Sequence, residues 1–338
     1  MDRPIVALVL AGGTGTRLYP ASRSDRPKQF LSFGDERSLL ARTVERAGFA
    51  DEVYVLTRPD LTDRVREHAP NAAVLAEPEP GDTGPALVYA AHRVSEQVGE
   101  CVLVCLPSDH HVATGGFAAT MERAARVAVE TDGLVAVGVE PTRPETGYGY
   151  VDPGTTAETA AGDEYVPVER FTEKPDREAA MRYRHRGYYW NAGMFVWTPD
   201  ALLREARDSP LAPLVERLDE GDPKAGFAAV EPVSVDYAVM EGTDEAFLVP
   251  AEFEWDDLGT WDAAARVAET DEAGNAVFGD ALAVDAEDNV IATDGHVSVV
   301  GVSDLVVASY GDRTLVVPKT QSQRVRDVVD ELRDDGSF

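Results

Sequence analysis

An apolar run, Ile5–Leu10, breaks into Ala11-Gly12-Gly13-Thr14-Gly15-Thr16-Arg17 and is followed by Pro27-Lys28-Gln29-Phe30. Glycines after a strand let backbone N–H groups come close to an anion. Arg17 and Lys28 add fixed positive charge beside them, a combination suited to an anion. The spacing is neither the Gly-x-Gly-x-x-Gly of dinucleotide binders nor the phosphate loop that ends in Gly-Lys-Ser/Thr. The plain alternative is a glycine-rich turn after a first strand.

Carboxylates come next. Asp109 lies just past an apolar run, in Leu106-Pro107-Ser108-Asp109-His110-His111, where a metal ligand at a strand end would sit. Trp255-Asp256-Asp257-Leu258-Gly259 offers a second ligand at Asp256 or Asp257. Such hard oxygens suit Mg²⁺, which takes one or two carboxylates and completes its shell with phosphate oxygens and water. His110 and His111 lack further His or Cys at ligand spacing and read as structural. Asn191, with one acceptor and two donors, suits a hydroxyl-rich ligand. Gly149 either lets a backbone amide approach such a ligand or marks a strand turn. Asp236 precedes a helical pattern at Tyr237 and reads by itself as a polar cap. Glu173-Lys174 reads by itself as an exposed ion pair, with Pro175 at the first position of a helix.

These strings also occur in a telling order. The Leu10–Pro20 loop with Pro27-Lys28-Gln29-Phe30, then Leu-Pro-Ser-Asp-His, Phe171-Thr172-Glu173-Lys174-Pro175 and Trp190-Asn191-Ala192-Gly193-Met194-Phe195 resemble the motifs of sugar-1-phosphate nucleotidyltransferases. Pro-Lys-Gln-Phe and Ser234-Val235-Asp236-Tyr237-Ala238 narrow the resemblance to the mannose-1-phosphate guanylyltransferases. The resemblance spans Ile5 to Asp262. It implies a Mg²⁺-dependent enzyme making GDP-mannose and pyrophosphate from mannose 1-phosphate and GTP. The sugar-phosphate oxygen would attack the α-phosphorus in line, so the protein's task is alignment and charge neutralisation. It further implies that Leu10, Ala11, Gly12, Gly13, Thr14, Gly15, Thr16 and Arg17, with Asp82 and Thr83, bind the nucleotide. Arg17, Lys28, Asp109 and Asp257 would be catalytic, Asp109 and Asp257 as metal ligands, since the family's Asp-x-Gly aligns with Asp257. Gly149, Glu173, Lys174, Asn191 and Asp236 would hold the sugar phosphate.

One segment departs from the pattern. Where relatives carry Glu-Pro-x-x-Arg-Asn-Thr-Ala-Pro-Ala near the base, this chain has Gly81 and Asp82 for the Arg and Asn. A carboxylate at 82 would still accept from both N1–H and the exocyclic amine of guanine. Ala192 likewise stands at a position usually held by another small residue. The chain stops short of the cupin-type isomerase domain of longer relatives, so a single activity is expected. Rival readings are the same chemistry on another pair, such as glucose 1-phosphate with UTP or dTTP, or a silent subunit that senses nucleotide sugars.

The elements that must position these residues follow from periodicity. Ile5–Leu10, Val53–Leu56, Ala73–Leu75, Val102–Leu106 and Leu134–Val139 read as strands; Leu39–Ala47, Leu61–His68, Ala86–Val98 and Phe117–Val129 show helical spacing. The alternation predicts an α/β fold, a Rossmann-like, mostly parallel sheet with helices on both faces, whose ligands bind at the carboxyl ends of strands. Past Asn275 come short segments: Ala281–Val284, Val290–Ala292, Val297–Val300, Leu305–Ala308 and Leu315–Val317, then a helix, Ser322–Arg333. They show no repeat regular enough to assert, and predict a small β-solenoid or sandwich. We therefore divide the chain into a nucleotidyltransferase catalytic domain, 1–272, and a small β-rich domain, 273–338, whose expected use is contact within a homodimer.

Composition sets the remaining bounds. The 338 residues are 44% hydrophobic, enough for a large core, yet carry 61 acidic against 31 basic residues, a net charge of −30. Only four of the basic residues are lysines. Such a balance resembles that of halophile proteins, whose self-repulsion salt screens. It also makes surviving lysines, Lys28 and Lys174 among them, stand out from surface filler. No basic stripe points to nucleic acid, and no apolar run reaches the roughly 20 residues of a membrane span. With no signal-peptide pattern, a cytoplasmic location is expected. Cys101 and Cys105, on one strand face and roughly 13 Å apart, are too distant for a disulfide and read as buried apolar residues.

Overall fold

The computed structural model describes residues 3–13, 15–33, 37–336 and 338. Strands and helices alternate through the first half: β1 (Ile5–Leu10), α1 (Leu39–Arg46), β2 (Glu52–Thr57), α2 (Thr62–His68), β3 (Ala73–Ala76), α3 (Thr83–Val98), β4 (Val102–Pro107), β5 (His111–Val112), α4 (Phe117–Thr131) and β6 (Leu134–Val139). Then come β7 (Tyr150–Pro153), β8 (Ala157–Glu158), β9 (Glu164–Thr172), α5 (Arg177–His185), β10 (Tyr189–Trp197), α6 (Pro199–Arg207), α7 (Ala212–Asp219), α8 (Pro223–Ala228), β11 (Ala246–Pro250), β12 (Trp255–Asp256) and α9 (Trp261–Val267). Four strands, β13 (Ala276–Val284), β14 (Val290–Val300), β15 (Leu305–Tyr310) and β16 (Arg313–Pro318), and a helix, α10 (Val325–Asp334), end the chain.

Two compact units divide the described residues. The first takes residues up to Gly12, Thr43–Pro107 and Val112–Trp255; the second takes Gly13–Arg42, Ser108–His111 and Asp256–Phe338. In the first unit a ten-stranded sheet runs β3-β2-β1-β4-β10-β6-β11-β9-β7, with β8 on β9. β3, β2, β1 and β4 are mutually parallel, and β11 runs parallel to β6. β10 lies antiparallel between β4 and β6, and β9 pairs antiparallel with β11 and β7. The parallel part is thus joined to a mixed part. Alternate residues of β1 serve opposite faces. Val6 and Leu8 pack with Leu87 and Val94 of α3 and Leu202 of α6, whereas Ile5 and Ala7 pack with Phe117, Met121 and Ala124 of α4. Burial on both faces is why β1 reads as an unbroken apolar run. Cys101 and Cys105 are both buried and free.

In the second unit β13 pairs parallel with β14 and β14 with β15, while β16 closes antiparallel on β15. The expected segments Val290–Ala292 and Val297–Val300 are one strand, β14, whose register against β13 shifts between Phe278 and Asp280. Two buried asparagines stack successive turns. Asn275 donates to Ala286 O and accepts from Asn289 N and Nδ2, while Asn289 donates to Val302 O and accepts from Leu305 N. This ladder is the repeat that side-chain patterning alone leaves invisible. The helix expected from Ser322 starts later, after a tight turn over Lys319–Arg324. Phe33, Trp261, Phe278 and Val329 join one apolar core there.

Candidate functional site

The candidate residues fall into two clusters, one in each unit. In the second unit Lys28 begins a single 3₁₀ turn behind Pro27 and is 2% exposed. A buried ammonium needs partners for its three donors. Its Nζ donates to Asp109 Oδ2 at 2.8 Å and to the Asp257 carbonyl at 2.7 Å. Gly15, at φ +62°, makes room for it, because a Cβ there would stand 2.4 Å from Lys28 Cβ. Arg17 lies 3.8 Å from Asp257 Oδ2, and Gly259 N donates to Asp257 Oδ1. Desolvation works to raise both carboxyls, but the charges of Lys28 and His110 outweigh it and hold Asp109 below its usual range. Lys28, the Gly259 amide, His110 and Arg17 do the same for Asp257. Asp256 is occupied elsewhere: buried, it takes a two-point bond from Arg266 Nε and NH2. Geometry thus puts Asp257, not Asp256, beside Lys28 and Arg17.

The first unit gathers the expected sugar-phosphate residues. Asn191, on β10, donates through Nδ2 to Asp236 Oδ1 at 2.6 Å and accepts from Gly193 N. Gly149 packs so closely that a Cβ there would meet Glu173 Oε2 at 2.4 Å and Asn191 Cβ at 3.4 Å. Lys174 adopts φ +45° and donates to Glu173 Oε1 at 2.6 Å. Pro175 is not the first residue of α5, because Asp176 is the cap and accepts from Ala179 N. Asp236 does not act as a cap either. It opens a π-helical turn, Asp236–Met240, while Ser234 Oγ accepts from Tyr237 N. Desolvation and the Glu173 charge push the Asp236 carboxyl up to about 6, against the opposing bonds from its backbone and Asn191.

The nucleotide candidates are differently placed. Ala11 N donates to Leu56 O, and Ala11 O accepts from Thr57 Oγ1, so its backbone serves the sheet. Leu10 ends β1 and Thr16 starts a tight turn; Gly12 and Gly13 carry no side chain to crowd a ligand, and Thr14 lies outside the described residues. Asp82 is exposed and caps α3, accepting from Thr83 N at 2.7 Å, while Thr83 Oγ1 accepts from Val235 N. Asp82 thus holds the backbone of its own segment, and Thr83 ties that segment to the backbone at Val235.

Glu77 was not among the candidates; it lies buried beside Gly12, whereas Asp82 is exposed. It follows β3, is 6% exposed, and its Oε1 sits 3.1 Å from where a Cβ on Gly12 would be. Burial pushes its carboxyl up to about 7 against the nearby Arg58, with Asp82 adding to the rise. The signal available in the sequence was position: Glu77 stands at the carboxyl end of a parallel strand, where such sheets bind ligands.

Comparison with known proteins agrees along the chain. A family model described as "Nucleotidyl transferase" matches residues 6–274, and a "MannoseP isomerase/GMP-like beta-helix domain" matches 279–332. "Xanthan biosynthesis protein XanB" of Xanthomonas campestris is 34% identical over 98% of this chain and 74% of its own length. "Mannose-1-phosphate guanylyltransferase" of Klebsiella pneumoniae is 34% identical over 97% of the chain and 74% of its own. A crystal structure titled "mannose-1-phosphate geranyltransferase", from Thermus thermophilus, superposes with a TM-score of 0.90 at 36% identity. The match covers 98% of this chain and 99% of that one. Among the described residues no helix is long and apolar enough to cross a membrane.

Proposed function

The chain belongs to the nucleotidyl transferase family, and from that premise we propose that it makes GDP-mannose and pyrophosphate from mannose 1-phosphate and GTP. The observation that carries this is Lys28, a buried cation donating at once to Asp109 and to the Asp257 backbone. A phosphate oxygen of the sugar phosphate attacks the α-phosphorus; the bond to the β-phosphate oxygen breaks, and its electrons leave with pyrophosphate. No proton has to move. The work of Lys28 and Arg17 is to balance charge as the leaving group departs.

Asp109 and Asp257 fit a divalent cation such as Mg²⁺, because both present carboxylate oxygens kept ionised by adjacent cations. Such an ion completes its shell on substrate phosphates and water, so one or two carboxylates suffice to hold it. When bound, such an ion would supply further positive charge to the phosphates.

In the first unit Asn191, Asp236 and Glu173 offer donors and acceptors for sugar hydroxyls, and Lys174 a cation for the sugar's phosphate. Glu77 suits guanine: its two oxygens accept from N1–H and the exocyclic amine together, whereas the bare N1 of adenine and the carbonyls of uracil would face it with lone pairs. We assign base selection to Glu77 and segment anchoring to Asp82 and Thr83. The segment 273–338 is proposed as a homodimer contact, supported by exposed Leu282 (54%) and Val300 (65%). Loss of dimer in Leu282→Glu, read by analytical ultracentrifugation, tests that.

The enzymatic proposal is tested by measuring pyrophosphate release over a grid of GTP, ATP, UTP and dTTP against several sugar 1-phosphates. GTP with mannose 1-phosphate should dominate. Faster release with UTP or dTTP and glucose 1-phosphate would replace the assignment, and silence across the grid would favour a sensing subunit.

A further inference from the structure

The second unit contains a cavity of about 370 Å³ that no role above uses. Its size lies in the range of small-molecule sites. Phe33 and Phe278 form an aromatic wall, their rings 5.5 Å apart and nearly perpendicular. Arg42 and Glu269 supply the charge. Arg42 is only partly exposed, and among the described residues it makes no side-chain hydrogen bond or ion pair. In a chain with twice as many acids as bases, a half-buried guanidinium with no carboxylate partner among the described residues offers its fork to a ligand anion.

The cavity also touches both segments that carry the candidate metal ligands. Leu258, 1% exposed and at φ +47°, lines it and directly follows Asp257. His111 lines it two residues after Asp109. Packed interiors transmit displacement rather than absorb it, so an occupant that moves Leu258 moves the Asp257 carbonyl on which Lys28 rests at 2.7 Å.

We propose that this cavity is a regulatory site for a nucleoside phosphate. The phosphate sits on the fork of Arg42, the base packs against Phe33 and Phe278, and Glu269 accepts from base N–H groups. Occupancy lowers turnover by shifting Asp257 away from Lys28. The inference rests on the proposed reaction for its kinetic readout only; binding is read separately.

GMP, a nucleotide that cannot act as the triphosphate substrate, is the probe. Equilibrium titration of the full chain should give two GMP bound per chain, falling to one in Arg42→Ala and in Ala268→Trp, which fills the cavity from its wall. In initial-rate measurements GMP should lower kcat as well as raise the KM for GTP. Both variants should lose the kcat component and keep the competitive one, and Arg42→Ala should leave basal kcat unchanged. If Ala268→Trp does not fold, Arg42→Ala decides alone. A GMP stoichiometry that stays unchanged in Arg42→Ala overturns the proposal. If the chain turns over some other substrate pair, the reaction assignment fails while the stoichiometry still decides the cavity.

Discussion

Two pairs of carboxylates in this molecule, similar in residue type, have their pKa values moved in opposite directions. Asp109 and Asp257 share Lys28, and that cation overcomes desolvation, so both stay charged. For Asp236 and Glu77 the opposing charges of Lys174 and Arg58 fall short, and desolvation wins: one is pushed up to about 6, the other to about 7. A carboxylate kept charged is fitted to a metal and to phosphate chemistry. One pushed up toward neutrality can change its charge in the working pH range, and with it the number of hydrogen bonds it accepts from hydroxyls and base edges. The difference lies in pairing, not in residue type.

The largest break in that comparison should come at the charged cluster. Asp109→Asn and Asp257→Asn keep volume and remove a ligand charge, and each should lower kcat by roughly 10²-fold or more. Asp256→Asn should instead lower the melting temperature, since it breaks the bond to Arg266, while leaving kcat near its starting value. Normal turnover in Asp257→Asn would reverse the two assignments.

Removing the cation should make the charged cluster resemble the other one. In Lys28→Ala kcat should fall, and the carboxyl pKa values, no longer held down, should rise. Activity would then require a higher pH, so the acid limb of the kcat profile moves upward. Lys174→Ala should act mainly on the KM for sugar phosphate. Matching, slight effects in both variants would remove the argument that the scarce lysines mark the site.

A smaller, pH-dependent effect should separate Glu77 from Asp82. The ionised Glu77 accepts two bonds and the protonated form only one, so the KM for GTP should fall about tenfold between pH 6 and 8. In Glu77→Gln that dependence should flatten, whereas Asp82→Asn should retain it. Stability gives the sign a second check. Because the folded state holds the Glu77 proton more tightly than the unfolded chain, the group's contribution declines as pH rises from its ordinary value of 4.5 through about 7. The melting temperature of Glu77→Gln relative to the parent should therefore climb by a few degrees across that window. An unchanged difference at pH 4.5 and pH 8 would contradict it.

The mildest expectation concerns the surface shared by both units. With a net charge of −30, melting temperature should rise as KCl goes from roughly 0.1 M to 1 M, because self-repulsion is screened. The buried Lys28 pair should be little affected. A flat or falling curve would set aside the halophilic reading and leave both clusters as they are.

Local patterning was enough to identify β1 to β4, β6 and α1 to α4, because alternation and helical spacing are written in neighbouring residues. Motif order alone was enough to mark Lys28, Asp109, Glu173, Lys174 and Asn191 as candidates. Tertiary structure decided what depends on residues distant in the chain. It set Asp257 by Lys28 and Asp256 by Arg266, burial of Glu77 beside Gly12, and capping by Asp82. It also revealed the asparagine ladder, whose bonds run from one turn of chain to the next. Residue type is a property of the sequence; burial and pairing, which set a carboxylate's charge and so its role, arise only when the chain is folded.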